Sequence, residues 1–473
     1  MNLLYVSAAM VACYDNDNDA WIPEIWASGA LMILEENMVA ANLVYRDFED
    51  KVADYGDVVN CRRPNDFKVR RKVDGTTLSQ QDAKSPNVRV PLDQWFYDSF
   101  TIKDGEASKS QEELTEQYMV PCVQAVARGV DRSVLGHIHK FFGDPADRVG
   151  RLENMTKDNS KDYVLEARRI LNVNKVPPNP RSLILSPASE TAMLQTELFI
   201  KANERGDDGT ALEEALLGRI LGFNTYMGQN VNGVAVGLDT VAGGTVDDAQ
   251  PAGEGGVQDV TFTGLGIVTV GEFFTVAGND QPTFITAQTD DATDTTDVTL
   301  NEVNKFATLP NAVAVQYLAC DVVNGYAAGY SEAITLDGYT TGKAPQVGQL
   351  IAFGTGSNRR TYTVVESEDA GSTCTIHLDR PLEVSLVNDQ KAFPGPAGSF
   401  NWAMHREALA LVTRPLALPK QGSGALSAVA SYNGLSMRIT MQYDINAGGT
   451  IVNVDMLAGI AVLDDRMCVP LLG

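Results

Sequence analysis

Between Asn60 and Phe142 the chain reads as a long hairpin-like arm followed by a very long helix, and that pairing limits what it can fold into. The outgoing half of the arm is basic and extended, Cys61-Arg-Arg-Pro-Asn-Asp-Phe-Lys-Val-Arg-Arg-Lys72, and a polar turn lies around Asp74-Gly75. Almost nothing along the returning half, Asn87 to Ile102, suggests a core of its own. At roughly 3.3 Å per residue, arms of about 15 to 20 residues reach on the order of 50–65 Å. A bare two-stranded hairpin is marginal in water. The arm needs a surface to lie on, and a neighbouring copy of the chain is the natural one. This points to a building block rather than a catalyst.

Ser110 and Glu113 have the spacing of a capping box. The helix they would open carries Leu114, Tyr118, Cys122, Val126, Val130, Val134, Ile138 and Phe141, at steps of four ending in three. Sustained through Phe142, it is expected to span about 50 Å at 1.5 Å per residue. Pro121, Gly129 and Gly136 are expected to bend it. Upstream, Leu31, Leu34, Met38, Ala41 and Tyr45 place a helix over Trp26–Tyr45. Downstream, a helix through Tyr163, Ala167, Ile170 and Leu171 stops before Pro177-Pro178, and a strand follows at Leu183–Leu185. Ser186 then caps a helix with Pro187 at its first position. A short helix at Ala211–Leu217 and an extended run at Phe223–Val231 complete this portion.

Composition is that of an ordinary globular chain, 44% hydrophobic and 21% charged, and 473 residues allow two to four domains. A net charge of −24 opposes broad binding to nucleic acid or anionic membranes. Between Val236 and Phe400, 21 acidic residues face 6 basic ones, which marks a distinct acidic module. Gly243–Gly256 and Pro394–Gly398 bracket it as linkers. Inside, one pattern occurs twice: Val260–Gly264, Val270-Gly271, Phe273–Val276, Phe284-Ile285, Val298–Leu300; then Ile334–Gly338, Val347-Gly348, Leu350–Phe353, Tyr362–Val365, Thr375–Leu378. Short alternating strands between Gly, Asp and Asn turns indicate a small β-barrel or sandwich of duplicated origin. Helical α/β sequence is expected to resume at Asn401–Leu411. The end is a hairpin in which Met437, Ile439, Met441 and Tyr443 alternate with Arg438, Thr440 and Gln442, turning at Asn446–Gly449 and returning through Val452, Val454 and Met456. Cys468–Leu472 is a last apolar strand. Six scattered cysteines without a CxxC fit reduced thiols rather than zinc or a disulfide framework. The apolar Met1–Cys13 lacks a basic start and is too short to span a bilayer.

This order of elements resembles the major capsid proteins of tailed bacteriophages, the Hong Kong 97 fold, in the branch of short-tailed Salmonella-type phage coat proteins that carry an inserted domain. The likeness rests on Glu35–Val44, Gly56–Val59 leading to Arg63-Pro64, Leu92–Gln94 with Phe100–Ile102 and Glu106, His405–Leu411 with Thr413–Leu416, and the Tyr443-Asp444 hairpin. The resemblance implies an α+β chain with an N-terminal arm and helix (1–59), an extended loop (60–104), a peripheral domain with a spine helix (105–159), and an axial domain (160–235 and 401–430). An inserted all-β barrel or sandwich (236–400) and peripheral strands (431–473) complete it. It also implies self-assembly into hexamers and pentamers of an icosahedral shell around double-stranded DNA. Assembly would take place in the host cytoplasm with a scaffolding protein, a portal and a cement or decoration protein. Packaged DNA would be touched only weakly, and no membrane is involved.

Arg62, Arg63, Lys68, Arg70, Arg71 and Lys72 are the candidate subunit contacts, because complementary charge sets register and partner choice. Other motifs fall short of chemistry. Asp15, Asp17 and Asp19 open like a calcium loop, yet Ala20 stands where Gly is required and Trp26 where Glu is. Asp290, Asp291, Asp294 and Asp297 form an exposed acidic loop. His137 and His139 point to different helix faces. Gly329-Tyr-Ser-Glu-Ala333 is a near miss for a nucleophile elbow, and Gly354–Ser357 lacks the Lys of a phosphate loop. No catalytic residue, cofactor or metal is expected. The competing readings are a secreted surface or adhesion protein built on the repeated β-module, and a serine hydrolase using Ser331.

Overall fold

The computed structural model describes residues 38–46, 58–62, 87–103, 115–142, 148–152, 155–196, 217–231, 233–234, 239–246, 259–263, 268–277, 279–291, 295–300, 311–420, 424–432, 434–446 and 448–473, with a few single positions between 27 and 77. The fold mixes helix and sheet and contains β-barrels. Ala27, Ala30–Met32 and Leu34 are helical, and after Met38 and Val39 the short helix α1 runs over Ala40–Leu43. Leu31, Leu34, Met38 and Ala41 are buried together, as their spacing requires. The carboxylate of Asp131, far along the chain, accepts from Val39 N and Ala41 N, each at 2.9 Å. It therefore serves the free N–H groups at the start of α1.

The spine is helical from Thr115 to Phe141, about 40 Å at 1.5 Å per residue. It begins as a π turn (Thr115–Met119), continues as α2 (Val120–Gly136) and ends as a 3₁₀ segment (His137–Phe141). Cys122, Val126, Val130, Val134, Ile138 and Phe141 are buried as their spacing predicts. Ser110 and Glu113 lie outside the described residues. The spine packs on a five-stranded antiparallel sheet ordered β22 (Leu409–Arg414), β25 (Gly449–Val462), β24 (Leu435–Asp444) and β23 (Leu426–Tyr432), with β3 (Gln94–Lys103) on the free side of β25. Met437, Ile439, Met441, Val452, Val454 and Met456 of the C-terminal hairpin are buried against the spine's apolar stripe.

A second, mixed sheet runs β4 (Val149–Gly150), β26 (Cys468–Leu472), β21 (Gly398–His405), β5 (Arg181–Leu185), β7 (Phe223–Met227), β6 (Arg219–Ile220), with β8 (Gly233–Val234) also on β21. Helix α3 (Ser160–Val173) covers it, and α4 (Pro187–Leu194) starts at Ser186, whose Oγ accepts from Ser189 N at 3.2 Å. The helix expected at Ala211–Leu217 lies outside the described residues apart from Leu217. Asn401–Leu411 is not helical; it supplies parts of β21 and β22, joined by a 3₁₀ turn. The reason is that both faces of these strands are buried. Phe400, Trp402 and Met404 enter the spine core, while Ala403 enters the core beneath α3. Such a strand has no polar alternation to distinguish it from a buried helix.

The inserted module is two closed barrels rather than one. The first comprises β9 (Thr240–Val246), β10 (Asp259–Thr263), β11 (Phe273–Val276), β12 (Asn279–Asp291), β13 (Thr295–Leu300) and β14 (Val313–Tyr317). The second comprises β15 (Cys320–Val322), β16 (Ile334–Asp337), β17 (Leu350–Phe353), β18 (Arg360–Asp369), β19 (Cys374–Leu378) and β20 (Lys391–Pro394). Numbering the strands of each from one to six, both close in the order 1-2-5-4-3-6. They also share a bulge between their fourth and fifth strands. Ile285 pairs with Leu300 and then Ala287 with Thr299, just as Val364 pairs with Leu378 and then Glu366 with His377. The equivalent Gly271 and Gly348 both have positive φ, at 109° and 85°, and donate to Ile285 O and Val364 O.

The buried residue after each glycine follows local chemistry. Glu272 accepts from Thr269 N, Gln316 Nε2 and Ala319 N, all donors, so an acid fits, although burial pushes its carboxyl above the ordinary range. Gln349 accepts from Gln346 N but donates to Gly395 O at 2.6 Å, so an amide is needed. The segment expected as a linker from Gly243 is partly strand, because Val246 fills the first barrel's core.

Candidate subunit-contact surface

The arm is a two-stranded ribbon in which β1 (Val58–Arg62) pairs antiparallel with β2 (Asn87–Pro91), from Val58↔Pro91 to Arg62↔Asn87. Neither strand pairs with another sheet among the described residues. Its root is fixed by apolar packing. Val90 and Leu92 are fully buried with Ala410, Val412 and Leu457. A side chain at Gly459 would run into the Pro91 carbonyl, so the root approaches β25 at a residue without a Cβ.

The returning half differs from expectation. Gln94–Lys103 is β3, paired along β25 from Gln94↔Ala458 to Lys103↔Gly449, so it belongs to the body. Period-two alternation carried this signal. Phe96, Phe100 and Ile102 face the spine, with Phe100 stacked on Tyr118 at 5.8 Å, while Trp95 and Tyr97 stay 49% and 69% exposed. The free ribbon is correspondingly shorter.

Of the candidate contacts, Arg62 closes β1 with its backbone paired to Asn87, and Arg71 and Lys72 are exposed ahead of the Asp74-Gly75 turn. Gly75 has φ +83° there, and Val69 is 98% exposed. Arg63, Lys68 and Arg70 lie outside the described residues. So do Asp15, Asp17, Asp19 and Asp294; Asp297 is exposed at the β12–β13 hairpin. Gly354–Ser357 forms the expected turn between β17 and β18. Ser331 is exposed, and His137, His139 and His405 bond to backbone groups elsewhere. Among the described residues no cluster of His, Cys, Asp and Glu could hold a metal, and no helix is long and apolar enough to cross a membrane. Cys122, Cys320, Cys374 and Cys468 are buried free thiols.

Asp93 sits half-buried between the arm root and β3. Burial pushes its carboxyl up to about 6, against the opposing pull of Lys140 and Arg380 and with a small push from Asp379. A folded value above the unfolded one means that this group favours the fold most below about pH 4, and that the benefit disappears as pH rises through 6. Asp93→Asn should therefore raise the urea midpoint by the equivalent of about 1–2 kcal/mol at pH 8, after allowing for solvent screening, and change it little at about pH 3.5.

No family pattern and no curated protein matches the chain. Its structure is similar to solved structures of low identity. The first, described as Mycobacterium phage Che8, has 11% identity, coverage of 92% of this chain and 90% of that one, and a TM-score of 0.40. The capsid structure of Cyanophage P-SCSP1u has 11% identity, coverage of 91% and 86%, and a TM-score of 0.39. The asymmetric unit of the bacteriophage PhiM1 mature capsid has 10% identity, coverage of 92% and 86%, and a TM-score of 0.38. All three are phage structures.

Proposed function

We propose that the chain is the major capsid protein of a tailed bacteriophage, built on the Hong Kong 97 fold and assembling with itself into the hexamers and pentamers of a shell around double-stranded DNA. The observation that carries this reading is the arm, a two-stranded ribbon outside both sheets whose described part packs on the body through Val59, Val88 and Val90, with exposed basic residues toward its tip. The ordered sequence likenesses around Glu35–Val44, Leu92–Gln94, His405–Leu411 and Tyr443-Asp444 support it. In this role each subunit makes several modest contacts, so that errors dissociate during growth while the closed shell gains from their number. Scaffolding, portal and decoration proteins are the further partners in this reading, and the acidic balance suits a wall that confines DNA without gripping it.

The basic residues Arg62, Arg63, Lys68, Arg70, Arg71 and Lys72 would meet acidic surface on the adjacent copy, and charge reversal tests this directly. Arg70→Glu with Arg71→Glu should leave the thermal melt of the subunit unchanged, since Arg71 is exposed. Particle yield on sucrose gradients should fall by about tenfold or more, because like charges at a contact cost several kcal/mol. Shells formed at the normal yield would dismiss the arm as a contact.

A further inference from the structure

Three parts of the chain that lie far apart in sequence meet at one buried point. Gln94 opens β3 directly after the arm root, Ser133 lies on α2, and Asp379 follows β19 in the second barrel; all three are buried. Ser133 Oγ lies 2.6 Å from both Gln94 Oε1 and Asp379 O, and Gln94 Nε2 donates to Asp379 O at 2.8 Å. The carboxylate of Asp379 accepts from Thr363 N at 2.7 Å and stands 3.0 Å from Arg380 Nη1.

The spine changes its helical form at this same place. Gly136 is the last α residue, and a Cβ there would lie 2.5 Å from Asp379 Cβ, so the barrel touches bare backbone. The Gly136 carbonyl accepts from Thr363 Oγ1 at 2.8 Å and from the His139 ring at 2.9 Å. The five residues that follow are 3₁₀, longer than such segments usually run without outside support.

We propose that the second barrel is a conformational brace: through Thr363 and Asp379 it holds the last turn of the spine in its 3₁₀ form, and through Gln94 it fixes the root of the arm. A shift of the inserted module is then felt at both places. The coupling belongs to the single subunit and stands whether or not the chain builds a shell, so its test and the test of assembly fail separately.

Hydrogen–deuterium exchange on the full chain at low concentration reads the coupling. Thr363→Val keeps the side-chain size and removes the hydroxyl on Gly136 O; Ile334→Val, in the barrel core away from the junction, is the control. The loss of one buried hydrogen bond should raise exchange about 2- to 10-fold at 137–141 and at 88–93, while the control changes only barrel strands. Gln94→Leu, made from the arm side, should speed exchange at 137–141 and 361–365, and it keeps the test open if Thr363→Val loosens the whole barrel. Changes confined to the barrel in Thr363→Val, with 361–365 silent in Gln94→Leu, would overturn the proposal.

Discussion

Asp131→Ala should cost about 3 kcal/mol and free the N-terminal helix from the spine. In the native chain this carboxylate accepts from Val39 N and Ala41 N at 2.9 Å in a buried position, joining α1 to a helix some ninety residues away. Two N–H groups, one buried and one half-buried, lose their acceptor on truncation, and each unsatisfied buried donor costs about 1–3 kcal/mol. Burial holds the Asp131 carboxyl above its ordinary range, so part of the loss is offset by removing a charge the interior disfavours. Asp131→Asn keeps one acceptor oxygen and should cost roughly half as much. Exchange at Met38–Leu43 should rise strongly in the alanine variant and moderately in the asparagine variant. Equal protection in all three proteins would show that α1 is held by its apolar contacts alone.

The second large effect is expected at Arg359, which joins the two barrels. Its guanidinium lies 3.9 Å from the centre of the Phe284 ring, 4.8 Å from Phe273 and 5.5 Å from Phe393, and it donates to Gly271 O. Burial pulls its pKa down to about 9, yet it stays charged at neutral pH with three aromatic faces in place of water. Arg359→Glu would place a carboxylate against the same rings and against a carbonyl, an uncompensated charge worth about 3–5 kcal/mol. In a unit of this size that corresponds to a fall of about 10 °C or more in the melting of the first barrel. Arg359→Met, similar in volume and uncharged, should be close to neutral because it also removes the desolvation cost. Calorimetry on the full chain separates the cases, and an unchanged glutamate variant would show that Arg359 does not hold the barrels together.

Much of this architecture was written in local patterns. The C-terminal hairpin follows from Met437, Ile439 and Met441 alternating with polar neighbours, and Ser186 with Pro187 starts a helix where expected. The duplication was visible in paired strand motifs, but their closure into two barrels was not. Each barrel also needs two outer strands, and β9 is drawn from a Gly- and Thr-rich stretch that resembles a linker. Asn401–Leu411 misled for the opposite reason, since burial on both faces removes the polar alternation that marks a strand. The Gln94–Ser133–Asp379 junction was invisible, because it depends on residues hundreds of positions apart and on a glycine whose value lies in what touches it. Of the contact surface, the basic run was plain in the sequence, whereas the division of the returning half into ribbon and body sheet required the pairing of β3 with β25.

Whether the arm completes itself on a copy of the same chain can be seen by electron microscopy of the purified protein across a concentration series. Closed, hollow particles of uniform curvature are expected above a threshold concentration. Compact single subunits at every concentration, each with the ribbon folded against its own body, would contradict this.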